Sequence, residues 1–103
     1  MILKKYLDEF SYKLVVDSYD EEYLDTLDEN NFIKIYELFK KYNFYFVNDI
    51  ILKYLEIFQM DENYVENELL KLKNKLGINY IYVIGNDMTH LNDIIVNQEL
   101  IEG

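Results

Sequence analysis

The sequence predicts an all-α protein, a compact bundle of about five to six short helices, with one short strand near residues 78–84 as an alternative there. Apolar residues recur every three or four positions along most of the chain, which is the period of a helix with one buried face. The chain has no proline to interrupt a helix and only three glycines. Half of its 103 residues are hydrophobic, so we interpret residues 1–103 as a single acidic helical domain with one core.

The first two predicted helices cover residues 2–14 and residues 17–29. The first has an apolar stripe made of Leu3, Leu7, Phe10 and Leu14. The second pairs a core face with an acidic outer face. Its core face consists of Val16, Tyr19, Tyr23 and Leu27. We expect Asn30 and Asn31 to end this helix and to cap the next one.

Two further helices, in residues 32–42 and 44–59, are expected to form an antiparallel hairpin with a turn near Asn43. Within the aromatic cluster of this hairpin, Phe44 and Phe46 are expected in the core. Tyr42 and Tyr45 are expected to be more open to a partner.

The second half of the chain has clearer helix ends. Asp61 is suited to cap a helix over residues 62–76, and Gly77 suits the left-handed position after it. The run Ile78–Ile84 has strand composition but no second β-like run to pair with, so a short strand and a short buried helix are alternatives. After a turn at residues 85–87, a last helix is predicted. Its apolar positions are Met88, Leu91, Ile94 and Ile95.

Composition also bears on where the protein works. There are no cysteines, which excludes disulfides and thiolate metal sites and fits a reducing compartment. Charges interrupt the apolar residues at the start of the chain, so no signal peptide is predicted. Apolar runs fall far short of the roughly 20 residues of a spanning helix. We expect a cytoplasmic protein that does not bind membranes.

The charge is strongly acidic and unevenly distributed. There are 20 acidic residues against 10 basic ones, a formal net charge of −10. Residues 17–29 hold seven acids and no base, and these are the predicted partner-binding residues: Asp17, Asp20, Glu21, Glu22, Asp25, Asp28 and Glu29. Such a field repels nucleic acid and anionic lipid and attracts basic surfaces. The alternative is that the charge serves solubility alone.

No motif for catalysis, metal or cofactor binding stands out. His90 is the only histidine, flanked by Asp87 and Asp93, but a triad needs a nucleophile and a metal site needs more ligands. The acids of residues 17–29 lack the central glycine and the alternation of a calcium loop. No glycine-rich phosphate loop occurs. We therefore predict a protein that is not an enzyme and carries no cofactor.

Three functional hypotheses follow. On one helix, acids at positions 17, 21, 25 and 28 would stand about 5–6 Å apart, comparable to neighbouring phosphates. This favours an inhibitor that occludes a basic surface of a nuclease or nucleic-acid-binding complex, with an immunity protein against a toxin nuclease preferred. A phage-encoded nucleic-acid mimic that inhibits a host defence complex, of the anti-CRISPR type, is one alternative. A helical adaptor or subunit is another, and the oligomeric state stays open.

Overall fold

Every regular element that the computed structural model describes, over residues 2–102, is helical. This confirms the all-α prediction, although the helices are more numerous and shorter than predicted. The α-helices are α1 (Leu3–Tyr6), α2 (Glu9–Ser18), α3 (Glu21–Asp25), α4 (Glu29–Lys41), α5 (Val47–Lys53), α6 (Glu62–Leu76), α7 (Tyr80–Asn86) and α8 (Asn92–Glu102). Two 3₁₀ helices lie between them, Leu55–Gln59 and Met88–Leu91.

Aspartate caps divide the first half of the chain into shorter helices than the apolar period predicts. Asp8 accepts a hydrogen bond from the Ser11 N–H at 2.6 Å, so α2 starts anew after α1. The hydrogen bonds from Ser11 lower the pKa of Asp8. Asp28 accepts from the Asn31 N–H at 3.1 Å and starts α4. The predicted continuous helix over residues 2–14 and the predicted asparagine cap are therefore both wrong.

Because α2 begins as a separate helix after its cap Asp8, the residues of α2 that face the core differ from those predicted. Val15 is fully buried, whereas Phe10 is 72% exposed and Leu14 is 42% exposed. Val16, expected on a core face, is 41% exposed. The predicted stripe assumed one helix axis through residues 2–14, and a break in that axis rotates the face presented to the core.

The predicted hairpin is present with one correction. Asn43 has a φ of +66° in the turn after α4, as expected for an asparagine at a left-handed position. The expected helix over residues 44–59 is divided at Tyr54, where α5 gives way to the 3₁₀ helix Leu55–Gln59. Phe44 and Phe46 are buried as predicted, and Tyr45 is exposed.

Helix α6 has the ends that the sequence predicts. The Asp61 carboxylate accepts from the Tyr64 N–H at 3.1 Å. Gly77 follows the helix with a φ of +90°, in the region where residues with a side chain are strained. These ends depend on local chemistry only, which is why they are predictable.

Within residues 78–84, Ile78 and Asn79 form a turn and the residues from Tyr80 onward belong to α7, so the strand alternative is wrong. Tyr80 and Ile84, four residues apart, are both buried. Tyr82 would share their face in a strand, but it is 64% exposed. Gly85 and Asn86 also lie inside α7, and Asp87 caps the 3₁₀ helix Met88–Leu91 by accepting from the Thr89 N–H at 3.1 Å.

The core draws buried apolar side chains from each of these helices. Its centre is aromatic and joins α4 to the 3₁₀ helix Leu55–Gln59. The ring centroids of Phe32 and Phe58 are 5.0 Å apart, and those of Phe39 and Phe58 are 5.6 Å apart. Since all three rings are fully buried, these contacts fix the 3₁₀ helix against α4 near both of its ends.

Candidate acidic interface

The seven predicted acids lie on three helices rather than one. Asp17 is in the last turn of α2, and Asp20 directly precedes α3. Within α3 and at the start of α4 lie Glu21, Glu22, Asp25, Asp28 and Glu29. The predicted single helix over residues 17–29 is wrong because the backbone is extended at Tyr19, with φ −122° and ψ 148°. A regular row of carboxylates along one axis is therefore not formed.

All seven acids are exposed. Within residues 2–102, none of them forms an ion pair. The lysines that form ion pairs do so with other acids. Those pairs are Lys13–Glu9, Lys41–Glu66, Lys71–Glu68 and Lys75–Asp93. No lysine occurs between Lys13 and Lys34. The 13 acids outside residues 17–29 share the rest of the chain with all ten lysines, which nearly balance them. The net negative charge is thus concentrated in this part of the molecule.

Two stacked tyrosines lie in the same segment as these acids and pack against the core. The rings of Tyr19 and Tyr23 are 5.5 Å apart and partly buried. Burial raises the pKa of both phenols, and the negative charge of Glu56 raises it further. Glu56 is exposed and lies in the 3₁₀ helix Leu55–Gln59, far along the chain.

Glu56 therefore extends the predicted cluster. We call these eight acids the acidic surface: Asp17, Asp20, Glu21, Glu22, Asp25, Asp28, Glu29 and Glu56. The sequence gives no indication that Glu56 belongs here, because it is a single acid within an apolar segment.

Hydrogen bonds hold the two parts of the acidic surface together. The Asn31 side-chain amide donates to the carbonyls of Phe58 and Met60, at 2.9 and 2.8 Å. The Asp28 N–H donates to the Gln59 side-chain oxygen at 3.1 Å. Asp28 thus has a structural role as cap and anchor, whereas the acids of α3 form no such hydrogen bond with any of residues 2–102.

A small recess opens at the edge of the acidic surface, between α1 and α3. Its volume is about 230 Å³. Asp25 and Glu29 line it together with Ile2, Leu24 and Leu27, and the lining is more polar than apolar. Two carboxylates at a small polar recess suit the charged end of a lysine or arginine side chain.

The geometry around His90 differs from an acid–base site. His90 lies in the 3₁₀ helix Met88–Leu91. The Asp87 carboxylate instead accepts hydrogen bonds from Thr89, which lower the pKa of Asp87, and the charge of His90 has a smaller effect. In the part of the chain that the structure describes, no group of three or more histidine, aspartate or glutamate side chains is placed to hold a metal ion.

Comparison with protein-family models, with curated proteins and with solved structures finds no match to this chain. Among residues 2–102, no helix is both long and apolar enough to span a bilayer. The chemistry of the acidic surface is therefore the strongest guide to function.

Proposed function

We propose that this protein is a non-enzymatic inhibitor whose acidic surface binds and covers a basic surface of a nucleic-acid-processing protein. One observation carries the proposal: eight exposed carboxylates are gathered on neighbouring elements, and within residues 2–102 no lysine forms an ion pair with them. Clefts that bind phosphates are lined by lysine and arginine. Unpaired carboxylates complement such a cleft.

In the proposed mechanism, the acidic surface competes with nucleic acid for the basic cleft of the partner. Opposite fields speed the encounter of the two proteins, most strongly at low salt. A regular phosphate-like spacing is not required, because aspartate and glutamate side chains adjust to lysines and arginines one at a time. The recess with Asp25 and Glu29 offers a place for one basic side chain of the partner. The same field keeps the inhibitor itself away from nucleic acid.

The preferred setting is an immunity protein that neutralises a nuclease toxin in the cytoplasm. A phage-encoded inhibitor of a host defence complex would use the same charge mechanism. The identity of the captured target separates the two settings, since one is a toxin and the other a defence complex.

An adaptor or subunit is the second candidate, and a different surface favours it. Three apolar residues of α8 are exposed, Val96 by 50%, Leu100 by 74% and Ile101 by 71%. A partner docked on this helix would bind through apolar contact. Such binding would change little with salt, whereas binding through the acidic surface would weaken as salt screens the charges.

Two matched triple variants test the proposal. Glu21→Gln, Glu22→Gln and Asp25→Asn remove three charges from the acidic surface. Glu37→Gln, Asp49→Asn and Glu99→Gln remove the same three charges elsewhere. All six side chains are exposed, and within residues 2–102 none is in an ion pair. Because each replacement keeps the shape of the side chain, we expect both triples to keep the fold.

The measurement is capture of host proteins on each tagged variant at low and high salt, followed by a nuclease assay on the captured protein. We expect wild type and the control triple to capture a basic protein, to release it at high salt and to inhibit its activity. The acidic-surface triple should lose both effects. If both triples lose capture equally, binding depends on the net charge of the protein and not on the acidic surface. If both triples keep a partner that high salt does not release, the adaptor is favoured.

A further inference from the structure

We propose that the exposed face of α2 is the apolar part of the same interface, and that its occupant is a basic segment of the partner that also carries apolar side chains. This inference rests on the proposed function and names the chemistry of the partner more closely.

The face is defined by Phe10 and Leu14. They lie four residues apart in one α-helix and therefore side by side. Phe10 is 72% exposed and Leu14 is 42% exposed, while Val15 alone in this helix is fully buried. Aromatic residues such as Phe10 are enriched at protein interfaces, and an exposed ring beside a leucine gains free energy when both are removed from water.

The apolar pair is continuous with the acidic surface. Asp17 lies one turn beyond Leu14 on the same side of α2, and α3 begins within three residues of the end of α2. Lys13, the one lysine within α2, lies 3.8 Å from the Glu9 carboxylate, so its charge is locally matched. A partner seated on Phe10 and Leu14 therefore meets uncompensated negative charge at the α3 end.

Charge decides between possible occupants. A second copy of the chain would bring another net charge of −10 against this one. An anionic lipid surface or a nucleic acid would be repelled for the same reason. An apolar segment that bears lysine or arginine satisfies both parts of the surface at once. The proposed occupant is therefore a basic amphipathic segment, the kind of segment that borders a phosphate-binding cleft.

Two synthetic peptides serve as probes of this chemistry. One is a helical peptide of about five turns built from lysine and leucine, with the leucines on one face. The other has the same number of lysines, with glutamine in place of leucine. Binding to the isotopically labelled protein is followed by the shifts of its backbone amide signals in NMR.

The lysine–leucine peptide is expected to shift the amides of Phe10, Leu14 and Asp17 together with those of α3. It should bind roughly ten times more tightly than the lysine–glutamine peptide, because the apolar contact adds to the charge contact. Phe10→Ser with Leu14→Ser should remove that difference. Leu100→Ser with Ile101→Ser, a control at the other exposed apolar pair, should preserve it.

The outcomes separate this inference from the proposed function. Equal affinity of the two peptides for wild type would overturn the role of α2. So would a difference in affinity that is lost in Leu100→Ser with Ile101→Ser but kept in Phe10→Ser with Leu14→Ser. Salt-dependent shifts confined to α3 would also overturn it while leaving the acidic surface in place. Failure of both peptides to shift α3 at low salt would count against the proposed function itself.

Discussion

The side-chain amide of Asn31 donates a hydrogen bond to the main-chain carbonyl of Phe58 across 2.9 Å. A second bond from the same amide reaches the carbonyl of Met60. Together they tie the start of α4 to the end of the 3₁₀ helix Leu55–Gln59. Glu56 is on that 3₁₀ helix, so these bonds bring a distant acid to the acids of residues 17–29.

Asn31→Ala should therefore destabilise the protein. It leaves two partly buried carbonyls without this donor, and we expect the free energy of unfolding to fall by about 1–3 kcal/mol. Urea denaturation followed by circular dichroism measures this. Asn30→Ala is the matched control, since Asn30 is exposed and adjacent, and it should change stability by less than about 0.5 kcal/mol. Equal losses in the two variants would show that the hydrogen bonds from Asn31 to Phe58 and Met60 add nothing to stability.

The sequence predicts local features of this fold better than the packing of distant ones. Asp61 and Gly77 define the ends of α6 through neighbouring backbone groups, and both were predictable. The exposure of Phe10 was not, because one hydrogen bond at Asp8 decides whether the apolar period continues. The helix at Tyr80–Asn86 was one of two alternatives, because strand composition alone does not show which residues face the core.

The candidate site shows the same limit. The acids of residues 17–29 were predictable as an exposed charged group, since a segment with seven acids and no base cannot bury them. Their division among three helices depends on the backbone at Tyr19 and on the cap at Asp28. The addition of Glu56 depends on contacts across the core, such as Asn31 with Phe58, which have no local sequence pattern.

Glu68 is a buried carboxylate in α6, 2% exposed, and its environment predicts an order of variant stabilities. Its Oε2 atom accepts a hydrogen bond from the Asn97 amide of α8 at 3.3 Å. Its Oε1 atom lies 3.5 Å from the ammonium of Lys71 but accepts no hydrogen bond from any described residue. We treat the Lys71 contact as a weak electrostatic one, because the Lys71 side chain is 68% exposed to solvent.

Asn97→Ala should lower the free energy of unfolding by about 1–3 kcal/mol, because a buried carboxylate oxygen loses its donor. Glu68→Gln should cost less than Asn97→Ala, because the amide oxygen still accepts from Asn97 and only the new NH2 group, at the Oε1 position beside Lys71, lacks a partner among the described residues. Chemical denaturation of the two variants gives the order. If Glu68→Gln is the more damaging, the ion pair with Lys71 stabilises the fold more than the bond to Asn97.

The phenol of Tyr42 donates a hydrogen bond to the Glu66 Oε2 atom at 2.7 Å, and this pair predicts a pH dependence. The bond lowers the pKa of Glu66, with Lys41 contributing through its own hydrogen bond at 3.2 Å. A carboxyl with a lowered pKa in the folded state adds stability above its ordinary pKa. That stability is lost as the pH falls through the folded-state value.

Tyr42→Phe should raise the pKa of Glu66 toward its ordinary value, as followed by the Glu66 carboxyl carbon in an NMR titration. The variant should be less stable than wild type at pH 7, and the difference should vanish in acid, where Glu66 is protonated in both proteins. Tyr45→Phe, at an exposed tyrosine, should leave the titration of Glu66 unchanged. A stability difference that persists in acid would assign the effect to packing instead.

The pKa values of Tyr19 and Tyr23 report directly on whether Glu56 belongs to the acidic surface. Burial is the larger cause of their elevation and the charge of Glu56 is the next. Because a nearby negative charge disfavours the phenolate, Glu56→Gln should lower both pKa values but leave them above the ordinary value. An NMR titration of tyrosine ring carbons resolves each residue, and Glu37→Gln is the matched control at an exposed glutamate of α4. Unchanged values for both tyrosines in Glu56→Gln would remove Glu56 from the acidic surface and restrict it to residues 17–29.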